Sequence, residues 1–252
     1  MIRFSLLILA ALVPCAPAAG DVLSRLAAKT FTGKNGDIPY RIHVPPNIDG
    51  RVPLILFLHG AGERGDDNAA PLKHGIEDIL DWCEETKNPA VVLVPQCPRE
   101  KSWASLDRKT MSLAKDAAAT TEQELVMELL EEVKDTVKVD PRRLYVTGLS
   151  MGGYGTWDLL RRHPDAFAAA IPICGGGHPG EAARIRDIPV WVFHGAMDKV
   201  VPAEQSRRMV KALEDAGSTK VKYTEYPDAG HDSWSMTYAD PDVLKWLFAQ
   251  TR

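Results

Sequence analysis

Five short, continuously apolar runs constrain the fold of this chain more than any other feature of its sequence. None of them alternates apolar and polar residues, so each is typical of a strand that is buried on both faces. Strands of this kind belong to parallel sheets that helices cover on both sides. The runs are PLILFLHG at 53–60, AVVLVP at 90–95, LYVTG at 144–148, AAAIPIC at 168–174 and PVWVFHG at 189–195.

Amphipathic helical patterns lie between and after these runs. The clearest, at 120–137, carries apolar residues at helical spacing, and Thr121 with Glu124 predicts a capping box at its start. The last segment, at 240–250, predicts a final helix. Because strands and helices alternate along most of the chain, the pattern indicates an α/β fold with one open, doubly wound, mostly parallel sheet.

Two extended segments precede the first apolar run. They are KTFTG at 29–33 and IPYRIHVP at 38–45, and Asn35-Gly36 lies between them. An Asn-Gly pair between extended segments is a strong signal for a β-hairpin. We therefore expect an antiparallel hairpin at the N-terminal side of the sheet.

The first 18 residues have the features of a secretory signal peptide. A positive start, MIR, is followed by the apolar run FSLLILAALV and by PCAPAAG, which offers a small-residue cleavage site after Ala18. Cleavage there leaves 19–252 as a single exported domain, either periplasmic or extracellular. Two alternatives are a buried N-terminal helix and a lipid anchor at Cys15, since LVPC resembles a lipobox. The run is shorter than the roughly 20 residues that span a bilayer, and no later stretch predicts a stable membrane span.

The charge and the cysteine content bear on three further possibilities: a nucleic-acid partner, a metal site and a disulfide. The net charge is −4 with both signs interspersed, so no basic stripe indicates a nucleic-acid partner. The four cysteines lack metal-ligand spacing, and no metal site is predicted. If Cys15 leaves with the signal, Cys83 and Cys97 are the likelier disulfide pair because they flank a predicted strand. Cys174 ends an apolar run and is expected to be a small buried residue.

The residues that follow the predicted strands indicate a catalytic site. In open α/β sheets, functional groups lie at the carboxyl ends of the strands. Ser150 lies in GLSMG after the third run, Asp198 follows the fifth run, and His231 lies in DAGHD after the last predicted strand. A serine, an acid and a histidine in this order predict a nucleophile with its orienting acid and its base.

The glycines around Ser150 fit that interpretation. A sharp turn from strand to helix leaves no room for side chains two positions on either side of its apex. The turn presents the hydroxyl outward and places the amide of Met151 at the start of a helix, where it favours developing negative charge. The alternative is an ordinary glycine-rich turn with an incidental serine, which does not account for Asp198 and His231.

Asp198 and His231 each have a non-catalytic alternative. Asp198 is also a candidate cap for the helix that follows, with Glu204 as the spare carboxylate. His231 is otherwise a surface loop histidine with Asp232 as its neighbour. We favour the catalytic interpretation of both, and we expect His59 and His194, which end strands, to be structural.

Five segments resemble a group of secreted bacterial serine esterases: LHGAGERGDDN, VPQCP, the stretch at 140–177, VFHGAMDKVVP and DAGHDSW. These belong to the phospholipase/carboxylesterase and dienelactone-hydrolase-like branch of the α/β-hydrolases, near feruloyl and acetylxylan esterases. The resemblance covers about residues 40–250 and implies an α/β-hydrolase catalytic domain. Dienelactone hydrolases proper use a cysteine nucleophile, whereas this chain has Ser150, so that particular activity is not implied.

The resemblance further implies hydrolysis of a carboxylic ester through an acyl-enzyme, with Ser150, His231 and Asp198 as the triad. It places the oxyanion hole at the backbone amides of Ala61 and Met151, and it implies no cofactor or metal. The substrate is then a small-molecule or polysaccharide ester. A prolyl-oligopeptidase-type serine peptidase and a non-catalytic hydrolase-like binding protein are the alternatives.

The surroundings of the predicted site suggest how substrate reaches it. Only GGGHPGEAARIRD, at 175–187, follows the fourth run, which is too short for a large cap domain. An open site favours a short acyl or aromatic acyl group on a bulky alcohol such as a sugar. The candidate pocket residues are Glu63, Arg64, Trp103 and Trp234. A solvated loop for the first two, a loop anchor for Trp103 and a core role for Trp234 are the alternatives.

Overall fold

The computed structural model describes residues 21–107 and 109–252, and an eight-stranded sheet lies at the centre of this part of the chain. A separate two-stranded hairpin, β5–β6, lies outside that sheet. The strands are β1 (Ala27–Gly33), β2 (Gly36–His43), β3 (Val52–Leu58), β4 (Val91–Pro95), β5 (Leu106–Asp107), β6 (Ser112–Leu113), β7 (Val139–Leu149), β8 (Ala169–Ile173), β9 (Val190–Gly195) and β10 (Val221–Tyr226).

The strand order in the central sheet is β1-β2-β4-β3-β7-β8-β9-β10. The hairpin β1–β2 is antiparallel, and β2 also pairs antiparallel with β4. Every later pairing, from β4–β3 to β9–β10, is parallel. The predicted fold class and the predicted N-terminal hairpin are both confirmed, and the carboxyl ends of the parallel strands meet at one edge.

Helices cover the sheet on both faces. They are α1 (Val22–Arg25), α2 (Ile76–Glu85), α3 (Thr121–Thr136), α4 (Met151–Arg162), α5 (Ala182–Ile185), α6 (Glu204–Asp215), α7 (Trp234–Ala239) and α8 (Pro241–Phe248). In β3, Leu56 packs into the cluster that contains residues of α3, α4 and α6, whereas its neighbour Phe57 packs into the cluster that contains residues of α2 and α8. This two-sided burial explains why the strands lack alternation.

Two predicted boundaries differ from the structure. The cap of α3 is Thr120 rather than Thr121, since its side chain accepts a hydrogen bond from the Gln123 amide at 3.2 Å. The prediction placed the box one residue too late because two threonines stand side by side. Strand β7 begins at Val139, five residues before the predicted run, and its polar first half lies at the exposed end of the sheet.

The predicted pairing of Cys83 with Cys97 is wrong, because both thiols are free. Cys83 packs in the cluster on the α2 and α8 face, whereas Cys97 packs in the cluster on the α3 and α4 face. Although the two cysteines flank one strand in the sequence, they lie on opposite faces of the sheet and cannot pair. Cys174 is fully buried, as expected.

The chain between β8 and β9 contains a single 3₁₀ turn and the four-residue helix α5, so the structure places no large cap there. Among the residues that the structure describes, no helix is both long and apolar enough to cross a membrane. The predicted signal peptide and Cys15 lie outside the described residues.

Candidate active site

Ser150 occupies a strained turn between β7 and α4. Its backbone has φ 53° and ψ −113°, a conformation that a side-chain-bearing residue adopts only when the surrounding structure imposes it. The residue is half-buried, and α4 begins immediately after it at Met151. The turn therefore lies at the carboxyl edge of the sheet with the serine at its apex.

The glycines on either side of Ser150 are required by backbone contacts. A Cβ at Gly152 would lie 1.8 Å from the Leu58 carbonyl oxygen, and one at Gly148 would lie 2.5 Å from the Gly152 carbonyl oxygen. The end of β3 thus packs directly against the turn. This contact confirms the steric reason that the sequence suggested for GLSMG.

A continuous hydrogen-bond chain joins the three predicted catalytic side chains. Nε2 of His231 lies 2.9 Å from Oγ of Ser150, and Nδ1 of His231 lies 2.7 Å from Oδ2 of Asp198. The residues come from three different strand ends, after β7, β9 and β10. In this arrangement the imidazole can accept the serine proton while the carboxylate fixes the ring.

Asp198 is held by its own loop and does not cap a helix. Its Oδ1 atom accepts the amides of Val200 at 2.8 Å and Val201 at 2.9 Å, which leaves Oδ2 for His231. Its side chain is fully buried. Helix α6 is preceded by Ala203 without a side-chain cap, and Glu204 is exposed and faces Arg207.

A second histidine, His194, contacts the same carboxylate. Its Nε2 atom lies 3.2 Å from Oδ2 of Asp198 and 2.9 Å from the Val201 carbonyl oxygen, while Nδ1 lies 2.7 Å from Oγ of Ser206. Burial lowers the pKa of this imidazole, so it is neutral near pH 7. His194 therefore fits the structural role that the sequence predicted, and it contacts the carboxylate of Asp198.

The two predicted oxyanion donors follow paired residues of neighbouring strands. Leu58 of β3 pairs with Gly148 of β7, and Ala61 and Met151 come three residues after these positions. Met151 is the first residue of α4, and its amide therefore has no partner within the helix. In the described part of the chain, neither amide donates a hydrogen bond.

His59 and Trp103 fix the loop that carries Ala61. Nδ1 of His59 donates to the Gly60 carbonyl at 2.6 Å, and Nε2 accepts the Cys97 amide at 2.9 Å. Burial lowers the pKa of His59 to about 4. Trp103 is 1% exposed and donates its indole N–H to the His59 carbonyl, so its predicted role in the substrate pocket is wrong and the loop-anchor alternative holds.

The other predicted pocket residues fall into two groups. Glu63 is buried, and its carboxylate lies 3.6 Å from Nε2 of His74. The Trp234 ring meets the His231 ring edge-on at 5.3 Å and also lies 5.4 Å from the His74 ring. Together Glu63, His74 and Trp234 form a line of contacts that ends at His231. Arg64 instead extends toward Cys97.

Sequence reasoning missed two residues near the three predicted catalytic side chains. His74 lies in a loop before α2 and carries no local motif, so nothing in the sequence marked it. Cys174 was expected to be a small buried residue, but it directly follows Ile173, whose carbonyl accepts the Ser150 amide at 2.9 Å, and it has φ 40°. Its place at a strand end was the one signal available.

A comparison with protein families shows to which family this chain belongs. The model of the "Dienelactone hydrolase family" matches residues 78–239. The chain belongs to the dienelactone hydrolase family. The resemblance inferred from the sequence is thereby confirmed, and the matched range includes α2 from its third residue, all three residues of the hydrogen-bond chain and the whole of α7.

Individual relatives extend the match beyond that range. A solved thermostable esterase is 40% identical, with a TM-score of 0.83, over 92% of this chain and 64% of that one. A bifunctional acetylxylan esterase/xylanase of Neocallimastix patriciarum is 26% identical over 82% of this chain. A probable feruloyl esterase C of Aspergillus oryzae is 23% identical over 81% of this chain and 71% of its own length. The chain spans 29% of the acetylxylan esterase/xylanase, so the match concerns one part of that protein.

Proposed function

We propose that this protein is a serine carboxylic ester hydrolase that acts through an acyl-enzyme. The main support for this proposal is the hydrogen-bond chain from Ser150 through His231 to Asp198. It provides a nucleophile, a base and an orienting acid within hydrogen-bonding distance of one another. Relatives of this chain are named as esterases, which supports the same reaction class.

The reaction follows from the positions of these atoms. Oγ of Ser150 attacks the ester carbonyl carbon while Nε2 of His231 takes the hydroxyl proton. The tetrahedral intermediate collapses, the ester C–O bond breaks, and His231 returns the proton to the departing alcohol. Water then attacks the acyl-enzyme with His231 again as base, which releases the acid and restores the serine. Asp198 keeps Nδ1 protonated and stabilises the charged ring.

The amides of Ala61 and Met151 stabilise the oxyanion in this proposal. Both lie at the carboxyl edge of the sheet, and the Met151 amide benefits from the positive end of the α4 dipole. Losing one such donor typically costs about 10²–10³ in rate. The His59 and Trp103 contacts matter here because they fix the loop that carries Ala61.

We infer that the substrates are esters with a short or aromatic acyl group on a bulky alcohol, such as an acylated carbohydrate. The short segment between β8 and β9 leaves the site open to a polymer. Met197 and Val200, which flank Asp198, are large apolar side chains that are more than half exposed, and they offer an apolar rim. Trp234 forms a wall beside the proposed base, whereas Glu63 is buried and faces His74.

A panel of esters tests the reaction and the substrate class together. Wild type is expected to hydrolyse 4-nitrophenyl acetate, methyl ferulate and acetylated xylan, with less activity on long-chain esters. Ser150→Ala is expected to lose at least about 10⁴-fold in rate. Ser235→Ala, which removes an exposed serine of α7, is the matched control and should retain activity. Failure of the wild type to react with a fluorophosphonate would overturn the proposal, and selective cleavage of a proline anilide would favour a peptidase.

We further propose that the chain is exported after removal of 1–18. The N-terminal sequence pattern supports this proposal, and so does a relative of Arthroderma benhamiae described as a secreted protein, 26% identical over 88% of this chain. The intact mass of the protein purified from its native host tests the idea. A mass beginning at Ala19 is expected. A diacylglyceryl-modified Cys15 would indicate a lipoprotein, and an unprocessed chain would contradict export.

A further inference from the structure

Cys174 lies directly beneath the proposed catalytic residues. It follows β8, whose neighbours β7 and β9 lead to Ser150 and Asp198. Its side chain is fully buried, its thiol is not part of a disulfide, and the residue before it accepts the Ser150 amide at 2.9 Å. The proposed ester hydrolysis gives this thiol no role.

The thiol completes a set of three metal-ligating groups. One ligand atom each from Cys174, Asp198 and His231 lies within 4.8 Å of the other two. In the described residues, 21–107 and 109–252, this is the one group of three such side chains that satisfies this distance. Sulfur, imidazole nitrogen and carboxylate oxygen are the ligands that zinc prefers in proteins.

We propose that this group is an inhibitory site for thiophilic divalent cations, represented by Zn²⁺ and Cd²⁺. The ion would be held by Sγ of Cys174, Oδ2 of Asp198 and Nδ1 of His231, the ring nitrogen that faces the carboxylate. Metal–ligand bonds of about 2.0–2.3 Å place the ligand atoms of a tetrahedral site roughly 3.3–3.7 Å apart. The 2.7 Å contact between Nδ1 and Oδ2 therefore has to open by less than about 1 Å.

Binding there would stop catalysis by changing the tautomer of His231. When the metal takes Nδ1, the ring proton moves to Nε2, and the thiol releases its own proton to solvent. Nε2 then donates toward Oγ of Ser150 and can no longer accept the serine proton. Asp198 is withdrawn from the ring at the same time. This loss of activity rests on the proposed function, whereas metal binding itself does not.

Direct binding of Cd²⁺ tests the site independently of catalysis. Wild type, Cys174→Ala, Cys83→Ala, Cys97→Ala and Ser150→Ala are each titrated with Cd²⁺ while the ultraviolet sulfur-to-cadmium charge-transfer band is recorded. We expect one Cd²⁺ per chain in wild type, in the Ser150 variant and in the two control cysteine variants. Cys174→Ala is expected to lose the band and at least about tenfold in Cd²⁺ affinity.

The same proteins are then assayed with 4-nitrophenyl acetate in Zn²⁺ or Cd²⁺, each relative to its own metal-free rate. Inhibition that a chelator reverses is expected in the active proteins that retain Cys174, with at least about tenfold weaker inhibition in Cys174→Ala. Equal inhibition of that variant, binding without inhibition, or no binding by wild type would overturn the proposal. If wild type binds Cd²⁺ but hydrolyses no ester, the inhibitory role and the proposed function fail while the metal site stands.

A direct measurement on the wild type covers the case in which Cys174→Ala does not fold. The ¹¹³Cd NMR signal of the bound ion should show coupling to the labelled ring nitrogen of His231. A cadmium signal without that coupling would place the ion elsewhere and overturn the site.

Discussion

Nε2 of His194 lies 3.2 Å from Oδ2 of Asp198, the same oxygen that faces His231 at 2.7 Å. Nε2 of His194 faces two acceptors, the carboxylate and the Val201 carbonyl oxygen, so it carries the ring proton, and Nδ1 is left as an acceptor facing the Ser206 hydroxyl. The buried carboxylate of Asp198 thus has a second, neutral imidazole donor beside its contact with His231. His194 is fully buried behind this contact, so we expect it to act as a positioning residue for Asp198.

Removing this donor is expected to weaken catalysis. His194→Leu should lower kcat/KM by about 10- to 100-fold, because a buried hydrogen bond to a charged group is worth about 1.5–3 kcal/mol. His194→Gln retains a donor and should recover part of the loss. Ester assays measure the effect, and the downfield NMR resonance of the His231 Nδ1 proton should shift in the Leu variant. A fall in stability with unchanged kcat and resonance would assign His194 a purely structural role.

The packing of the strained turn predicts a clear stability difference between two glycine substitutions. Gly152→Ala places a Cβ 1.8 Å from the Leu58 carbonyl, so it should destabilise the protein by about 3 kcal/mol or more. Gly50→Ala, where a Cβ meets no atom within 4 Å, is the control and should change stability by less than about 1 kcal/mol. Urea unfolding midpoints measure both. Equal midpoints would show that the β3 end does not restrict the turn.

The positions of Ser150, Asp198 and His231 were predictable from the sequence for a specific physical reason. A doubly wound sheet brings all its strand ends to one edge, so chain order and strand position suffice to bring together residues up to 81 positions apart. The steric need for Gly148 and Gly152 followed from the same topology.

Side-chain contacts inside the loops were not predictable in this way. Trp103 stands in a polar loop, yet its indole reaches the His59 carbonyl and is buried. The contacts of His194 with Asp198, and of Cys174 with its neighbours, depend on rotamers and on the course of the chain after a strand. Cys83 and Cys97 are near in sequence but point to opposite faces, which strand spacing alone does not reveal.

The edge-on contact between the Trp234 and His231 rings predicts that Trp234 orients His231 for catalysis. Aromatic pairs of this geometry contribute about 0.5–1.5 kcal/mol, so Trp234→Ala should reduce kcat by about 2- to 12-fold. Because the ring orients His231, the loss should be similar for 4-nitrophenyl acetate and for methyl ferulate, and Trp234→Phe should stay near wild type. An increase in KM confined to methyl ferulate would mean instead that Trp234 contacts the aromatic acyl group.

The buried imidazole of His59 makes stability depend on pH. Burial lowers the pKa of His59 from its ordinary value of 6.5 to about 4, against a smaller opposing effect of its hydrogen bond to the Gly60 carbonyl. Between these values the unfolded chain binds a proton that the native state excludes, so stability is complete above about pH 6.5 and falls as the pH drops toward 4. Through His59 alone, the free energy of unfolding should fall by about 2–3 kcal/mol between pH 7.5 and pH 4.5.

His59→Gln isolates this contribution from the other titrating groups. Glutamine keeps an acceptor for the Cys97 amide but does not titrate in this range, so the variant should lose less stability than wild type on acidification. Urea unfolding at pH 7.5 and pH 4.5 gives the free energies for both proteins. The difference between the two losses should be about 2–3 kcal/mol. Parallel losses would mean that His59 is protonated in the native state at pH 4.5 and that the loop carrying Ala61 opens to water as the pH falls.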